Sequence, residues 1–159
     1  MLKLMLDTNV VDVLMTDSAL LGLLRQATTS GAVELLVTHV QIDEVMSMGP
    51  NKRAKMESLV QLLADLPARR VPTYGFVFDL SRFDNATFAS EEHAAAFQEM
   101  TGGNTRHNED ALIVLTAAWY YADVVSENVR DVPKMAALIG LRSYTTSELR
   151  LLLASAGHS

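Results

Sequence analysis

The sequence predicts an α/β fold: one layered domain over residues 1–159, built around a mainly parallel sheet. Three observations predict it. Short apolar runs bounded by polar residues recur along the chain, as expected of strands covered on both faces. Longer segments with helical apolar spacing lie between them, and helix-start and helix-stop residues fall where one pattern gives way to the other.

Taken in order, Lys3–Asp7 and Glu34–Thr38 predict buried strands, and so does Asp123–Ser126. Arg69–Thr73 and Arg142–Thr145 are weaker strand candidates. Met56, Leu59, Val60, Leu62, Leu63 and Leu66 follow the i, i+3, i+4, i+7 rule and stop at Pro67. Ser90 ahead of Glu91 and Glu92 predicts an N-cap with acids in the first turn of a helix running to about Met100. Gly102-Gly103-Asn104 separates that helix from the apolar stretch Ala111–Ala122, and Pro133 sits near the start of another helix. Thr145-x-x-Glu148 is a capping box ahead of Leu149, Leu152 and Leu153. No repeat, low-complexity tract or long linker divides the chain.

The chain has 159 residues and no cysteine, which removes disulfides, thiolate zinc sites and cysteine nucleophiles together. A hydrophobic content of 49% with 20% charged residues excludes a disordered chain. The apolar stretch Ala111–Ala122 is too short for a membrane span, which needs about 20 residues, and Met1–Leu6 is too short for a signal-peptide core. A soluble, cytoplasmic protein is expected. Thirteen bases against nineteen acids give a charge of -6, at first sight unlike a nucleic-acid binder. Two bases and six acids fall in residues 1–50, however, so much of the surplus lies around two particular acids.

Those acids are Asp7, ending the first predicted strand, and Glu44 beside Asp43, a few residues beyond the second. Asp110 opens the apolar helix, and Ser126, Asn128 and Asp131 follow the Asp123–Ser126 strand. Parallel sheets bind ligands outside the carboxyl ends of their strands, so oxygen side chains from four segments gather at one edge. Each has an ordinary structural role as well: caps, first-turn acids, or a solvated helix face. Gathered together, the carboxylates would repel unless protonated or neutralised by a cation. Oxygen donors without Cys or clustered His point to Mg²⁺ or Mn²⁺, and such ions support phosphodiester hydrolysis.

On these residues the sequence resembles the PIN-domain family, and within it the VapC-type toxin ribonucleases. The matching pieces are Met5-Leu6-Asp7-Thr8-Asn9-Val10, Val40-Gln41-Ile42-Asp43-Glu44-Val45, Asn108-Glu109-Asp110-Ala111-Leu112-Ile113, and Val125-Ser126-Glu127-Asn128-Val129-Arg130-Asp131-Val132. The resemblance implies a PIN-like three-layer α/β/α fold with a central five-stranded, mainly parallel sheet and the acids where the strand order reverses. It implies that Asp7, Glu44 and Asp110 bind the metal, that Thr8 and Asn9 orient the first acid, and that Ser126 closes the site. Where many members carry an Asp two positions after that hydroxyl, this chain has Asn128, an uncharged metal ligand, and Asp131 can restore the charge.

The same resemblance implies an RNA substrate, a homodimer, and a small antitoxin protein covering the acids. For the RNA backbone the best cationic cluster is Lys52, Arg53 and Lys55. Tyr74, Phe76 and Phe83 can stack bases, though such residues more often fill a core. Trp119, Tyr120 and Tyr121 suggest core or dimer packing, Met46 and Met48 core filling, and His107 a surface site near Asp110. The segment from about Thr73 to His107 is expected to be an extra packed helix with a surface loop rather than a substrate lid. The leading expectation is a Mg²⁺- or Mn²⁺-dependent endoribonuclease of a toxin–antitoxin pair. The alternatives are a stand-alone PIN nuclease in RNA processing or DNA metabolism, and a catalytically degenerate PIN domain that binds without cutting.

Overall fold

The computed structural model describes residues 1–74, 86–87 and 90–156. Strands β1 (Leu2–Leu6), β2 (Val33–Val37), β3 (Ala68–Arg70), β6 (Asp123–Val125) and β7 (Ser143–Tyr144) form a five-stranded sheet in the order β3-β2-β1-β6-β7. Every pairing in it is parallel. Two short strands, β4 (Thr73–Tyr74) and β5 (Ala86–Thr87), pair separately. The helices are α1 (Thr8–Thr16), α2 (Ser18–Thr29), α3 (His39–Met46), α4 (Arg53–Asp65), α5 (Glu91–Thr101), α6 (Asn108–Trp119), α7 (Val132–Leu138) and α8 (Thr146–Ala156).

Alternation along β1 sorts the core into two halves. Leu4 and Leu6 join Val10, Leu14, Leu20, Leu24, Leu59 and Leu149 on one face, under α1, α2, α4 and α8. Met5 joins Leu36, Val124, Leu112, Leu115 and Met135 on the other, under α6 and α7. The predicted three-layer α/β/α arrangement is therefore present, with a sheet that is parallel throughout. Leu4, Met5 and Leu6 of β1 and the Asp7 that follows them are all buried, because the strand runs through the centre of the sheet.

Chain order reverses at β1. From β1 the chain moves out through β2 to β3, then returns to the opposite side of β1 as β6. The crevice at a parallel sheet's reversal opens beyond the strand ends, here Leu6 and Val125. Asp7 N–H still donates to the Val125 carbonyl at 2.9 Å, so the next residue of each strand, Asp7 and Ser126, is fixed beside the other.

Several sequence expectations are corrected. Strand β1 stops at Leu6, because Asp7 already caps α1, accepting from Thr8 N–H. The strand expected over Arg69–Thr73 is two strands, interrupted at Val71-Pro72, where proline has no N–H for a ladder. The apolar helix ends at Trp119, and Tyr121 takes a left-handed φ of 54° before β6. Tyr121 is 88% exposed and Trp119 48%, so neither fills the core; Trp119 instead stacks on buried Tyr74 with ring centroids 4.0 Å apart. Met46 is also exposed, while Met48 packs against the core. Helix α5 supplies the packed helix expected before His107; Phe76 and Phe83 lie outside the described residues. Among the described residues, no helix is long and apolar enough to cross a membrane.

Candidate active site

Asp7 is the hub of a hydrogen-bond network at the reversal. One carboxylate oxygen accepts from Thr8 N–H at 2.7 Å, as an N-cap does. The other accepts from the Asn9 amide at 2.8 Å and from the Ser126 hydroxyl at 2.6 Å. The Asn9 carbonyl oxygen in turn accepts Glu127 N–H at 2.9 Å, and the Ser126 hydroxyl accepts Asn128 N–H at 3.0 Å. The start of α1 and the loop after β6 are thus stitched together through polar side chains. Asp7, Thr8 and Ser126 are all buried.

Asn128 extends the network to α6. Its amide donates to Asp110 at 2.9 Å, and its carbonyl oxygen accepts Asp131 N–H at 3.1 Å. Asp110 lies in the first turn of α6, where the helix dipole favours an anion. Asp131 does not cap α7 through its side chain; it pairs with Arg130 at 3.2 Å.

The electrostatics distinguish these acids. Burial pushes the Asp7 carboxyl above its ordinary range, against the pull of its hydrogen bonds from Ser126, Thr8 and Asn9. Glu44 is solvent-accessible at the rim, yet crowding by protein on one side still raises its carboxyl. The charges of Glu109, Asp7 and Asp110 raise it further. Asp110 is pushed up to about 6, first by burial and then by the charge of Asp7, with Asp131 and Glu109 adding to it. Asp131 is held low, chiefly by its Arg130 hydrogen bond. Three acids from β1–α1, α3 and α6 therefore share one field with a surplus of negative charge.

In kind, these donors fit a hard divalent cation. All are oxygens, the charge surplus is unneutralised, and the Thr8 hydroxyl is a buried polar atom without a hydrogen-bond partner. That hydroxyl lies beside Glu44 and partly offsets the rise in its pKa, although it falls short of a formed hydrogen bond. Among the described residues, no three acidic or imidazole groups have closed on a common point.

No family model matches this sequence, and no curated protein does. Solved structures do. A chain of VapBC2 from Rickettsia felis, bound to a DNA fragment from their promoter, is 13% identical, with a TM-score of 0.51 over 91% of this chain and 98% of that one. A chain of VapBC-1 from nontypeable Haemophilus influenzae is 14% identical, with a TM-score of 0.52 over 92% of this chain and 99% of that one. The chain has a PIN-like α/β fold, similar to that of these VapBC chains.

Within this PIN fold, the structure joins Asp7, Thr8, Asn9, Asp110, Ser126, Asn128 and Asp131 in one network, with Glu44 coupled to it through charge. The basic cluster is a different case. Arg53 is engaged with Glu57 at 3.0 Å, Lys52 is exposed in the turn before α4, and neither touches the acids. Lys55 pairs with Asp12 at 2.8 Å, which places it over the α1 face one helical turn beyond Thr8. His107 acts on Asp131 through charge and is half-buried rather than a free surface residue.

Two participants were not among the predicted site residues. Glu109 adds negative charge to both Glu44 and Asp110. Gln41 is fully buried and bonds the end of β1 to the start of α3. The Thr38-x-x-Gln41 spacing is a capping-box signature, the signal that could have revealed it.

Proposed function

We propose that this chain is a Mg²⁺- or Mn²⁺-dependent endoribonuclease, the toxin of a toxin–antitoxin pair. The observation that carries the reading is the gathering of Asp7, Glu44 and Asp110 at the strand reversal, three carboxyls raised first by burial, with the charge of Asp7 adding to the rise at Glu44 and Asp110. Nuclease chemistry of the VapC type gives such a group a purpose.

Asp7, Glu44 and Asp110 would hold the cation, with Asp131 and the Asn128 carbonyl oxygen as further donors. A bound Mg²⁺ or Mn²⁺ supplies Lewis-acid polarisation of a phosphoryl oxygen and a lowered pKa for water. The chain's own groups do the positioning. Ser126 and Asn9 hold the Asp7 carboxylate in one orientation by donating to the same oxygen. The Thr8 hydroxyl is a spare donor beside Glu44 for a water or a phosphate oxygen. Lys55, held by Asp12, offers an ammonium to a flanking RNA phosphate, and Lys52 and Arg53 extend that basic rim.

The VapBC structures support an antitoxin partner for this chain. Its most direct form is an acidic-site cover in which an arginine neutralises the carboxylates that the cation would otherwise occupy. A homodimer and cytoplasmic action belong to the same proposal. The binding-only reading rests on one observation: Asn128 stands where an acid would add charge, and its carbonyl oxygen is already bonded to Asp131 N–H.

Incubation of the purified protein with mixed RNA under Mn²⁺, Mg²⁺ or EDTA, beside Asp7→Asn, tests the reading. Asparagine caps a helix as well as aspartate, so the variant can keep the cap while it removes the charge and one acceptor oxygen. Cleavage that needs the divalent ion and Asp7 supports the nuclease. RNA binding without cleavage under either metal supports the binding module instead. Growth arrest on expression, relieved by a co-expressed partner, distinguishes a toxin from a stand-alone nuclease.

A further inference from the structure

We infer that Gln41 is a positioning residue that sets the spacing between the acids on β1–α1 and α3; the inference rests on the proposed metal site. Its side chain is 0% exposed, and all of its polar capacity is spent on two backbone segments. The amide nitrogen donates to the Leu6 carbonyl at 2.7 Å, with a long contact to the Met5 sulfur at 3.7 Å. The amide oxygen accepts Thr38 N–H at 2.8 Å and the Thr38 hydroxyl at 2.5 Å.

The register explains why this matters. Strands β1 and β2 pair from Leu2↔Val33 to Met5↔Leu36, and the ladder ends there. Beyond it, the Gln41 amide stands in for a peptide unit: it gives an N–H to Leu6 and takes one from Thr38. The two strands are held apart by the width of a side-chain amide at the point where they deliver their acids. Leu6 immediately precedes Asp7, and Gln41 lies one helical turn before Glu44 on α3.

Helix capping alone does not account for the arrangement. The Thr38 hydroxyl already accepts Val40 N–H at 3.1 Å, and the Gln41 oxygen closes the capping box with Thr38. Neither bond requires the third, to Leu6 on another strand. That bond couples the α3 N-terminus to the carbonyl next to Asp7. Without the amide, the Leu6 carbonyl loses this donor and the Thr38 N–H this acceptor, and the ends of β1 and β2 are free to re-pair. A divalent cation shared by these acids would tolerate little error in their spacing, so this coupling would act on ion affinity as well as on folding.

The test compares Gln41→Met, which keeps the volume and removes the amide, with a purely apolar core variant, Leu149→Val, whose side chain makes no hydrogen bond to the acids. Mn²⁺ affinity is measured by calorimetry well below both melting temperatures, and metal-free crystals of wild type and Gln41→Met give the Asp7–Glu44 Cα separation. The proposal expects a tenfold or greater loss of Mn²⁺ affinity in Gln41→Met, with a changed separation. Leu149→Val should stay within twofold of wild type despite its lower melting temperature. An affinity within twofold for Gln41→Met, or an equal loss in both variants at matched melting temperature, overturns the positioning role. If wild type itself takes up no Mn²⁺, the metal reading fails. The spacing in metal-free crystals then decides Gln41 alone: an unchanged separation overturns it, and a changed one upholds it as the spacer of the two acids.

Discussion

At the scale of single residues, the acids divide by environment. Asp110 has a folded pKa of about 6 against an ordinary 3.8, so between those values the folded protein holds a proton that the unfolded chain has released. Metal-free protein should therefore lose stability as pH rises through about 6, the reverse of a salt-bridged aspartate. Asp110→Asn should flatten that slope in urea titrations across pH, leaving a smaller one from Asp7 and Glu44, whose pKa values are also raised. A slope unchanged in Asp110→Asn would mean that its carboxyl does not carry the effect. Ser126→Ala removes the 2.6 Å hydroxyl bond to buried Asp7 and should cost about 1.5–3 kcal/mol of stability by denaturation. The acids themselves were legible in the sequence because strand ends and helix starts fix where they must lie. Gln41 was not, since an amide within an apolar motif carries no charge to mark it, and Lys55's counter-ion Asp12 is visible only once α1 and α4 are packed.

At the scale of elements, α8 shows how the outer layer is secured. The Asp17 carboxylate caps α2 through Leu20 N–H and also receives the Arg150 guanidinium from α8. Arg150 holds the Asp17 carboxyl below its ordinary value. That contribution is complete above the unfolded pKa near 3.8 and is lost as pH falls through the depressed folded value. Arg150→Ala should weaken the docking of α8 at pH 7 while removing part of the acid sensitivity, a difference that circular dichroism over an acid titration reads directly. Leu149 is wholly buried beneath the same helix, and Leu149→Ala should cost about 2–5 kcal/mol. The Thr145–Glu148 capping box that starts α8 was plain in the sequence and forms as expected, with Thr145 N–H donating to Glu148 at 2.8 Å. Helix α2 was not assigned: Leu20, Leu23, Leu24 and Ala27 carry a helical spacing, but Leu21 and Gly22 within the run blur it. The split of β3 from β4 depends on Pro72, whose effect on a ladder is clear only when the partner strand is known.

At the scale of the whole molecule, topology turns a diffuse acidic composition into a local charge. Alternating strand and helix segments made the parallel sheet readable, but the order β3-β2-β1-β6-β7 depends on long-range pairing that no local pattern encodes. That order puts Asp7 and Ser126 side by side although 119 positions separate them in the chain. The net charge of -6 thus contains a focus around Asp7, Glu44 and Asp110 that a divalent cation would offset. If the acids form such a site, ligand linkage should raise the melting temperature with Mn²⁺ concentration. The most direct measurement is a calorimetric Mn²⁺ titration of wild type, Asp7→Asn and Asp110→Asn at neutral pH. Saturable binding to wild type that is lost or weakened at least tenfold in both variants is the predicted result. Binding of equal strength in all three proteins, or none to the wild type, would contradict a metal site at the reversal.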